Sequence, residues 1–226
     1  MNQEISATYD KKISCPLCNH KYTSKKLRSR AIRVEKIEND NFTIYKESQN
    51  NPTLYEVYVC PDCGFAFTDQ FTTSFSESEV ELFRKSVTAR WEGLDYGTER
   101  SYQDAVNTYK LALLSSNITN QPAIVIAGIC LRLSWVLRYK EEQEEENRFL
   151  KNAIQKYELS YENGDFKSTK MSEVKLLFLM GAISRRLGLL DKAVVYLSKI
   201  IEHKDRHLEP TIVEKAREEW YAARKK

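Results

Sequence analysis

Two short stretches decide how this chain folds: Cys15-Pro16-Leu17-Cys18-Asn19-His20 and Cys60-Pro61-Asp62-Cys63-Gly64-Phe65. Each places two residues between two thiols. One tight turn can then aim both sulfurs at a single ion, with backbone amides beside the thiolates. Proline fixes φ within each turn. Gly64 permits a positive φ after the second pair. Asn19 holds the equivalent place in the first, and Asn tolerates the same region. Four thiolates in tetrahedral array favour zinc, with iron a less favoured occupant. Cys15, Cys18, Cys60 and Cys63 are therefore the expected ligands of one structural Zn2+ site. Four protein ligands leave no coordination position for catalysis. Closing the intervening loop of about 41 residues costs roughly 3 kcal/mol. A structural zinc contributes on the order of 10–16 kcal/mol in small peptides, which exceeds that cost even after a large discount.

Other readings of the cysteines remain open. A redox dithiol needs a single reactive pair in a thioredoxin-like context, and the sequence offers neither. Disulfides suit an oxidising compartment. Two separate two-thiol sites, each shared with another subunit, stay as an alternative. His20 would be a fifth ligand and is expected at the surface. Cys130 lies within an apolar helical stretch and reads as a small core residue.

Composition bounds the rest. The chain has 226 residues, 42% hydrophobic, 30% charged and 11% aromatic, with only 7 Gly and 5 Pro. That excludes a disordered or collagen-like chain and allows one large or two small domains. A net charge of +3 argues for no polyanion or membrane partner. Residues 1–12 are polar, with no signal-like apolar region. The longest apolar runs, near Ala123–Cys130 and Leu176–Ile183, are far short of the ~18–20 residues of a membrane span. The expectation is a cytoplasmic protein, where paired cysteines favour metal.

Periodicity divides the chain near residue 76. Before it, Ala31–Ile37 alternates, which points Ile32, Val34 and Ile37 at a core. Phe42–Lys46 and Leu54–Cys60 follow, the latter with Tyr55, Val57 and Val59 on the inner face. Ser48–Pro52 is a turn signal. A small antiparallel sheet over 1–75 results, too small to stand without a staple. After it, seven helices are expected. They run from Ser76 or Ser78 (Ser76 with Glu79 fitting a capping box) to Gly93, from a start among Thr98, Ser101 and Asp104 with apolar residues from Tyr102 to Leu113, and from Pro122 to Tyr139. The others cover Glu142–Glu162, Ser172–Leu187, Leu190–His203 and Glu209 to the C-terminus. The fold class is α+β: a zinc-ribbon-like β module (1–75) followed by an all-α tetratricopeptide-like repeat array (76–226).

The repeat reading rests on Leu177…Gly181…Gly188…Ala193…Leu197. A small residue on one helix lets the next approach, and a bulky residue follows one turn after the packing Ala. Gly93, Tyr96, Ala105, Tyr109 and Ala112 echo that spacing, and Gly128 with Ala153 and Tyr157 echo it loosely. An irregular helical bundle is the alternative. Repeat arrays present grooves to peptides or proteins, and Tyr96, Tyr102, Tyr109, Arg132, Arg138, Arg185 and Arg186 would suit one. Each taken singly reads more simply as inter-helix packing or solvated surface.

Catalytic signatures are missing from the sequence: no Gly-rich phosphate loop, no G-x-S-x-G and no H-E-x-x-H. His203 and His207 lie four apart but lack a third ligand. The run Glu141–Glu146 reads as a solvated helix start. A protein-binding, non-enzymatic adaptor is the leading expectation. Nucleic-acid binding is the alternative, from Lys21, Lys25, Lys26, Arg28, Arg30 and Arg33 with Tyr22 among them. Residues 1–77 nevertheless balance at 10 basic and 10 acidic side chains, which weakens that reading. An enzyme with a site assembled from both halves is a third.

The chain resembles a bacterial family of unknown function, domain of unknown function 2225. The resemblance rests on Cys15-Pro16-x-Cys18 and on Tyr58-Val59-Cys60-Pro61-x-Cys63-Gly64-Phe65-Ala66, and continues into the helical half. It implies a bacterial cytoplasmic protein with no established activity. The spacing of the helical repeats is longer than the tetratricopeptide pattern.

Overall fold

The first element is a hairpin that strand propensity alone does not announce. A computed structural model describes residues 6–224. Residues 1–5 of the polar N-terminal stretch, and the last two residues of the helix expected to run to the C-terminus, lie outside the described residues. Strands β1 (Thr8–Ser14) and β2 (Lys21–Leu27) pair antiparallel, in register from Thr8 opposite Leu27 to Ser14 opposite Lys21. Their connection is the first cysteine turn itself. Lysines dominate both strands, and only Ile13 and Leu27 carry apolar side chains to the interior. The turn and the flanking segment hold the pair. Lys25 N donates to Gly97 O at 2.8 Å, which lays residue 97 along the edge of β2.

The expected single sheet is instead three two-stranded ones: β1–β2, β3 (Val34–Ile37) with β4 (Thr43–Tyr45), and β5 (Tyr58–Val59) with β6 (Ala66–Phe67). Val34 and Ile37, read as core, are 46% and 59% exposed, and Ile32 is half-buried. Alternation correctly marked an extended backbone, but no residue of β3 is covered. Most of Leu54–Cys60 is not a strand either. The Asn51 side chain accepts from Thr53 N and, with Pro52 following, starts a 3-10 turn over Pro52–Tyr55. Tyr58, placed on the outer face by alternation, is buried, and Lys11 Nζ donates to its hydroxyl at 2.7 Å.

Seven α-helices follow among the described residues. They are α1 (Glu77–Ser86), α2 (Tyr102–Ile118), α3 (Ala123–Tyr139), α4 (Gln143–Asn163), α5 (Glu173–Arg186), α6 (Leu190–Glu202) and α7 (Pro210–Arg224). Ser76 with Glu79 and Ser101 with Asp104 form capping boxes that fix the starts of α1 and α2. Helix α1 stops at Ser86, short of Gly93, because Val87 and Thr88 turn into a 3-10 segment. Gly93 and Tyr96 therefore lie in the connection from α1 to α2, not on a packing helix as the repeat spacing suggested. Ala105, Tyr109 and Ala112 are fully buried on α2.

The chain forms two compact units. One comprises the chain up to Lys36, Ile44–Gln121 and Arg132–Glu146; the other comprises Ile37–Thr43, Pro122–Leu131 and the chain from Asn147. The change from strand to helix falls near residue 76, as read from the sequence, whereas the compact units divide the chain elsewhere. In the first unit, Phe65 is surrounded by Phe67, Phe71, Phe75 and Phe83 at centroid distances of 5.1–6.1 Å. Edge-on and offset rings at this spacing add specific attraction to area burial.

In the second unit, α5, α6 and α7 pack together. A Cβ built on Gly181 would lie 2.8 Å from Leu197 Cγ and Cδ2, so α6 closes onto α5 at a point only glycine leaves open. Leu197 and Ala193 are fully buried on α6. The Glu219 carboxylate of α7 is buried and pairs with Arg185 of α5. It also accepts from Asn39 Nδ2 at 2.5 Å.

The Gly181 contact predicts a specific non-additivity. Gly181→Val overpacks the site and lowers stability by about 1–3 kcal/mol. Leu197→Ala alone leaves a cavity and costs about 2–5 kcal/mol. In the double variant the new methyls occupy the space the leucine vacated. Urea unfolding should then show a loss at least 1 kcal/mol smaller than the two single losses combined, as expected of contacting residues.

Candidate metal centre

Each cysteine pair sits on a turn closed by the same two backbone hydrogen bonds. In the first, Cys15 N donates to His20 O and Asn19 N donates to Cys15 O, both at 2.9 Å. In the second, Cys60 N donates to Phe65 O and Gly64 N donates to Cys60 O, again both at 2.9 Å. Asn19 and Gly64 occupy the matching position with φ of 63° and 76°, as the two sequences led us to expect. The two turns are thus structural copies of each other, one at the tip of β1–β2 and one at the tip of β5–β6.

The copies bring all four sulfurs within 4.8 Å of one another. Cys15 Sγ lies 3.7 Å from Cys63 Sγ, and Cys18 Sγ lies 3.6 Å from Cys60 Sγ. A disulfide would need about 2.05 Å. A tetrahedral ion with metal–sulfur bonds of about 2.3 Å sets its sulfurs about 3.8 Å apart. The donor chemistry and the spacing therefore both fit one shared metal ion. Pairing across the turns, rather than within them, favours one site over two half-sites. Cys15, Cys60 and Cys63 are buried and Cys18 is half-buried.

Crowding four thiols splits their acidities. Cys60 is held well below the usual thiol range, chiefly through the neighbouring Cys15 and Cys63 thiols, against the opposing effect of burial. Cys15 is pushed up to about 12, chiefly by the neighbouring Cys60, and Cys63 is pushed far above its ordinary value by Cys15 and Cys60 beside it.

The support for the second turn comes from a segment without regular structure. Thr88 Oγ1 donates to Cys63 O at 2.9 Å, and Trp91 Nε1 donates to Pro61 O at 2.9 Å. The Trp91 ring covers Gly64 so closely that a Cβ there would lie 2.7 Å from it. Gly64 is thus required twice, by its φ and by the indole. Further along, Arg100 is buried. Its guanidinium donates to the carbonyls of Tyr96, Leu54 and Val57 at 2.8, 3.1 and 2.7 Å. Residues 88–100 clasp the second cysteine turn and the β1–β2 edge. Sequence reasoning missed Thr88, Trp91 and Arg100, and the only available signal was a tryptophan and an arginine in a Gly-containing stretch after a helix.

The other sequence candidates are not assembled. His20 is exposed, as expected. Cys130 is buried in α3, and burial pushes its thiol up to about 12, consistent with a core role. His203 ends α6, with Nε2 3.6 Å from Glu173 Oε1, while His207 turns toward Lys204 O. Among the described residues, the four cysteines are the one cluster with metal-ligand spacing. The basic stretch forms β2 and the segment leading from it to β3. Lys25 pairs with Asp10 at 2.9 Å, Arg28 lies over the Tyr9 ring, and Tyr22 turns its hydroxyl inward. No helix of the described residues is long and apolar enough to cross a membrane.

Residues 8–223 match the model of a family described as an uncharacterised protein conserved in bacteria, DUF2225, and the chain belongs to that family. It is also similar to an uncharacterised protein of Borreliella burgdorferi, 24% identical over 176 residues. That match covers 68% of this chain and 60% of the relative's length. No solved structure matches the chain.

The split acidities fix the sign of a pH effect. Binding a cation must displace the protons held by Cys15 and Cys63, so affinity rises with pH and acid expels the metal. Calorimetric titration in buffers of differing ionisation heat should show proton release on uptake. Cys60→Ser, or any of the other three single Cys→Ser changes, should reduce tightly held metal to well below one ion per chain by elemental analysis.

Proposed function

We propose that this protein is a zinc-binding, non-enzymatic adaptor, in which a tetrathiolate zinc ion holds a ribbon-like module and tetratricopeptide-like helices engage a protein or peptide partner. The observation that carries the reading is the closed donor set: four sulfurs at mutual spacings near those of a tetrahedral ion. Four soft thiolates favour zinc over the oxygen-seeking cations. With all four positions filled by protein, such an ion organises backbone and leaves none for substrate or water. The thiol chemistry also suits a reducing, cytoplasmic setting.

Support for the partner-binding half comes from the second unit. The Gly181–Leu197 approach with Ala193 is the small-to-large packing by which tandem helical hairpins stack. On the outside of that unit, Val195, Leu208 and Tyr221 are 53%, 69% and 63% exposed. The reading of residues 21–33 as a nucleic-acid surface has less behind it, because Lys25 and Arg28 are engaged within the hairpin and Tyr22 is not presented for stacking.

Two measurements test the proposal on the full chain. Elemental analysis of protein purified without added metal should give about one zinc per chain, and a folded, metal-free protein would overturn the zinc assignment. Affinity capture from the native cell should recover a protein partner that Val195→Glu with Tyr221→Glu no longer retains. Recovery of nucleic acid instead, lost on raising salt, would replace the adaptor reading with the alternative.

A further inference from the structure

The β1–β2 ribbon has two outer edges, and only one of them is met by other backbone. Cys15 N donates to His20 O and Arg28 N donates to Ala7 O, at either end of a register that runs from Thr8 opposite Leu27 to Ser14 opposite Lys21. Bonded and non-bonded residues alternate along an antiparallel pair, so Thr8, Asp10, Lys12 and Ser14 turn their amides and carbonyls away from β2. Lys25, opposite Asp10, shows the same alternation on the far side: it turns outward and donates to Gly97 O at 2.8 Å. At the β1 edge, Thr8 N donates to Ser6 Oγ. Among the described residues, nothing pairs with the outward backbone groups of Asp10, Lys12 or Ser14. The side chains of these three are exposed as well. An open edge of this kind is a template for another strand.

The sequence of that edge complements itself. In an antiparallel pair, residues directly opposite each other both face the partner strand or both face away. A second copy can therefore meet β1 only with the two-fold axis at a residue, not between residues. With the axis at Lys11, Asp10 of each copy stands opposite Lys12 of the other, Thr8 opposite Ser14, and Tyr9 opposite Ile13. With the axis at residue 10 or residue 12, Asp10 meets Asp10 or Lys12 meets Lys12, and like charges directly opposite are destabilising. Only the register centred on Lys11 sets opposite charges face to face. It also builds a row of alternating sign, because Asp10 pairs with Lys25 of its own β2 at 2.9 Å and gains Lys12 on its other side. Lys11 meets its own copy on the axis, but its ammonium is held by the Tyr58 hydroxyl at 2.7 Å and Asp69 at 3.6 Å. Ile13, which faces Tyr9 of the second copy, lines a groove of about 580 Å3 with Lys12 and Tyr22, which gives the incoming ring a place.

We propose that β1 is a self-association edge, at which two copies of this chain pair antiparallel about Lys11 and join their ribbons into one continuous sheet. Asp10 and Lys12 exchange both backbone bonds across the axis, and Ser14 N reaches Thr8 O at each end. The interface is isologous, as a closed two-fold assembly requires. Main-chain bonds supply the attraction and the charge pattern selects the register, as in other cases of strand addition. The contact is small, so association depends on concentration. It uses neither the cysteines nor the exposed residues of α6 and α7, and so goes beyond the adaptor reading.

The test uses the full chain. Sedimentation should show a monomer–dimer equilibrium. In hydrogen exchange, the Asp10 and Lys12 amides should slow as concentration rises, while the Lys25 amide, already bonded to Gly97, stays unchanged. Asp10→Lys sets lysine against lysine, and Lys12→Asp sets aspartate against aspartate, so each variant alone should dimerise about tenfold more weakly. Mixed in equal amounts, the two variants restore opposite charges at both positions, and association should recover, which misfolded chains would not do. If either variant fails to fold, the concentration dependence of the two parent amides decides. A chain that stays monomeric at its highest soluble concentration would overturn the inference, even where an added extended peptide protects the same amides. A dimer whose Asp10 and Lys12 amides exchange as in the monomer would overturn it too, as would folded variants that do not complement each other on mixing.

Discussion

Four sulfurs from two turns, separated by some forty residues of chain, meet within 4.8 Å of one another, and the first unit is organised by that convergence. Three two-stranded ribbons with few buried side chains cannot support themselves, since an isolated hairpin is at best marginal in water. The cysteine turns supply what the ribbons lack: a fixed crossing point between the tip of β1–β2 and the tip of β5–β6. From that point the backbone geometry follows. Each turn is closed by the same pair of hydrogen bonds, each needs a residue tolerant of positive φ, and each hands its strands an antiparallel start.

The clasp of residues 88–100 depends on the same point. Thr88 and Trp91 bind carbonyls of the second turn, Gly97 runs along β2, and Arg100 gathers the carbonyls of Leu54 and Val57. These are backbone groups in irregular segments, which have no ladder partners of their own and must be satisfied some other way. A segment without secondary structure does this by spending side chains on carbonyls. The aromatic cluster around Phe65, the residue that closes the second turn, then ties the cysteine site to α1 through Phe83. The second unit holds together by other means: a glycine-sized gap between α5 and α6, and a buried carboxylate shared by Arg185 and Asn39.

The four clustered cysteines were legible because the cues of a candidate metal site are local. Two residues between thiols, proline inside the turn and glycine or asparagine after it are all constraints within six residues, so they can be read without knowing what packs where. The capping box at Ser76 was legible for the same reason, whereas Ser101 stood in the sequence only as one of several possible starts of α2. The β1–β2 hairpin was not, because its stability comes from the turn and from Gly97, neither of which leaves a hydrophobic period in β1 or β2. Val34 and Ile37 misled in the opposite direction: alternation reports an extended chain, not whether another layer covers it.

The sequence by itself determined the four cysteines, the left-handed turn positions at Asn19 and Gly64, and six of the seven helices within a few residues. All of these are written in short-range patterns of residue type. Only the tertiary structure decided which sulfurs lie beside which, that Trp91 and Arg100 belong to the cysteine module, that α1 ends early, and that Tyr22 turns an unpaired hydroxyl inward. Those facts depend on residues far apart in sequence meeting in space, and single side chains such as an indole or a guanidinium carry no mark of which distant carbonyl they will reach.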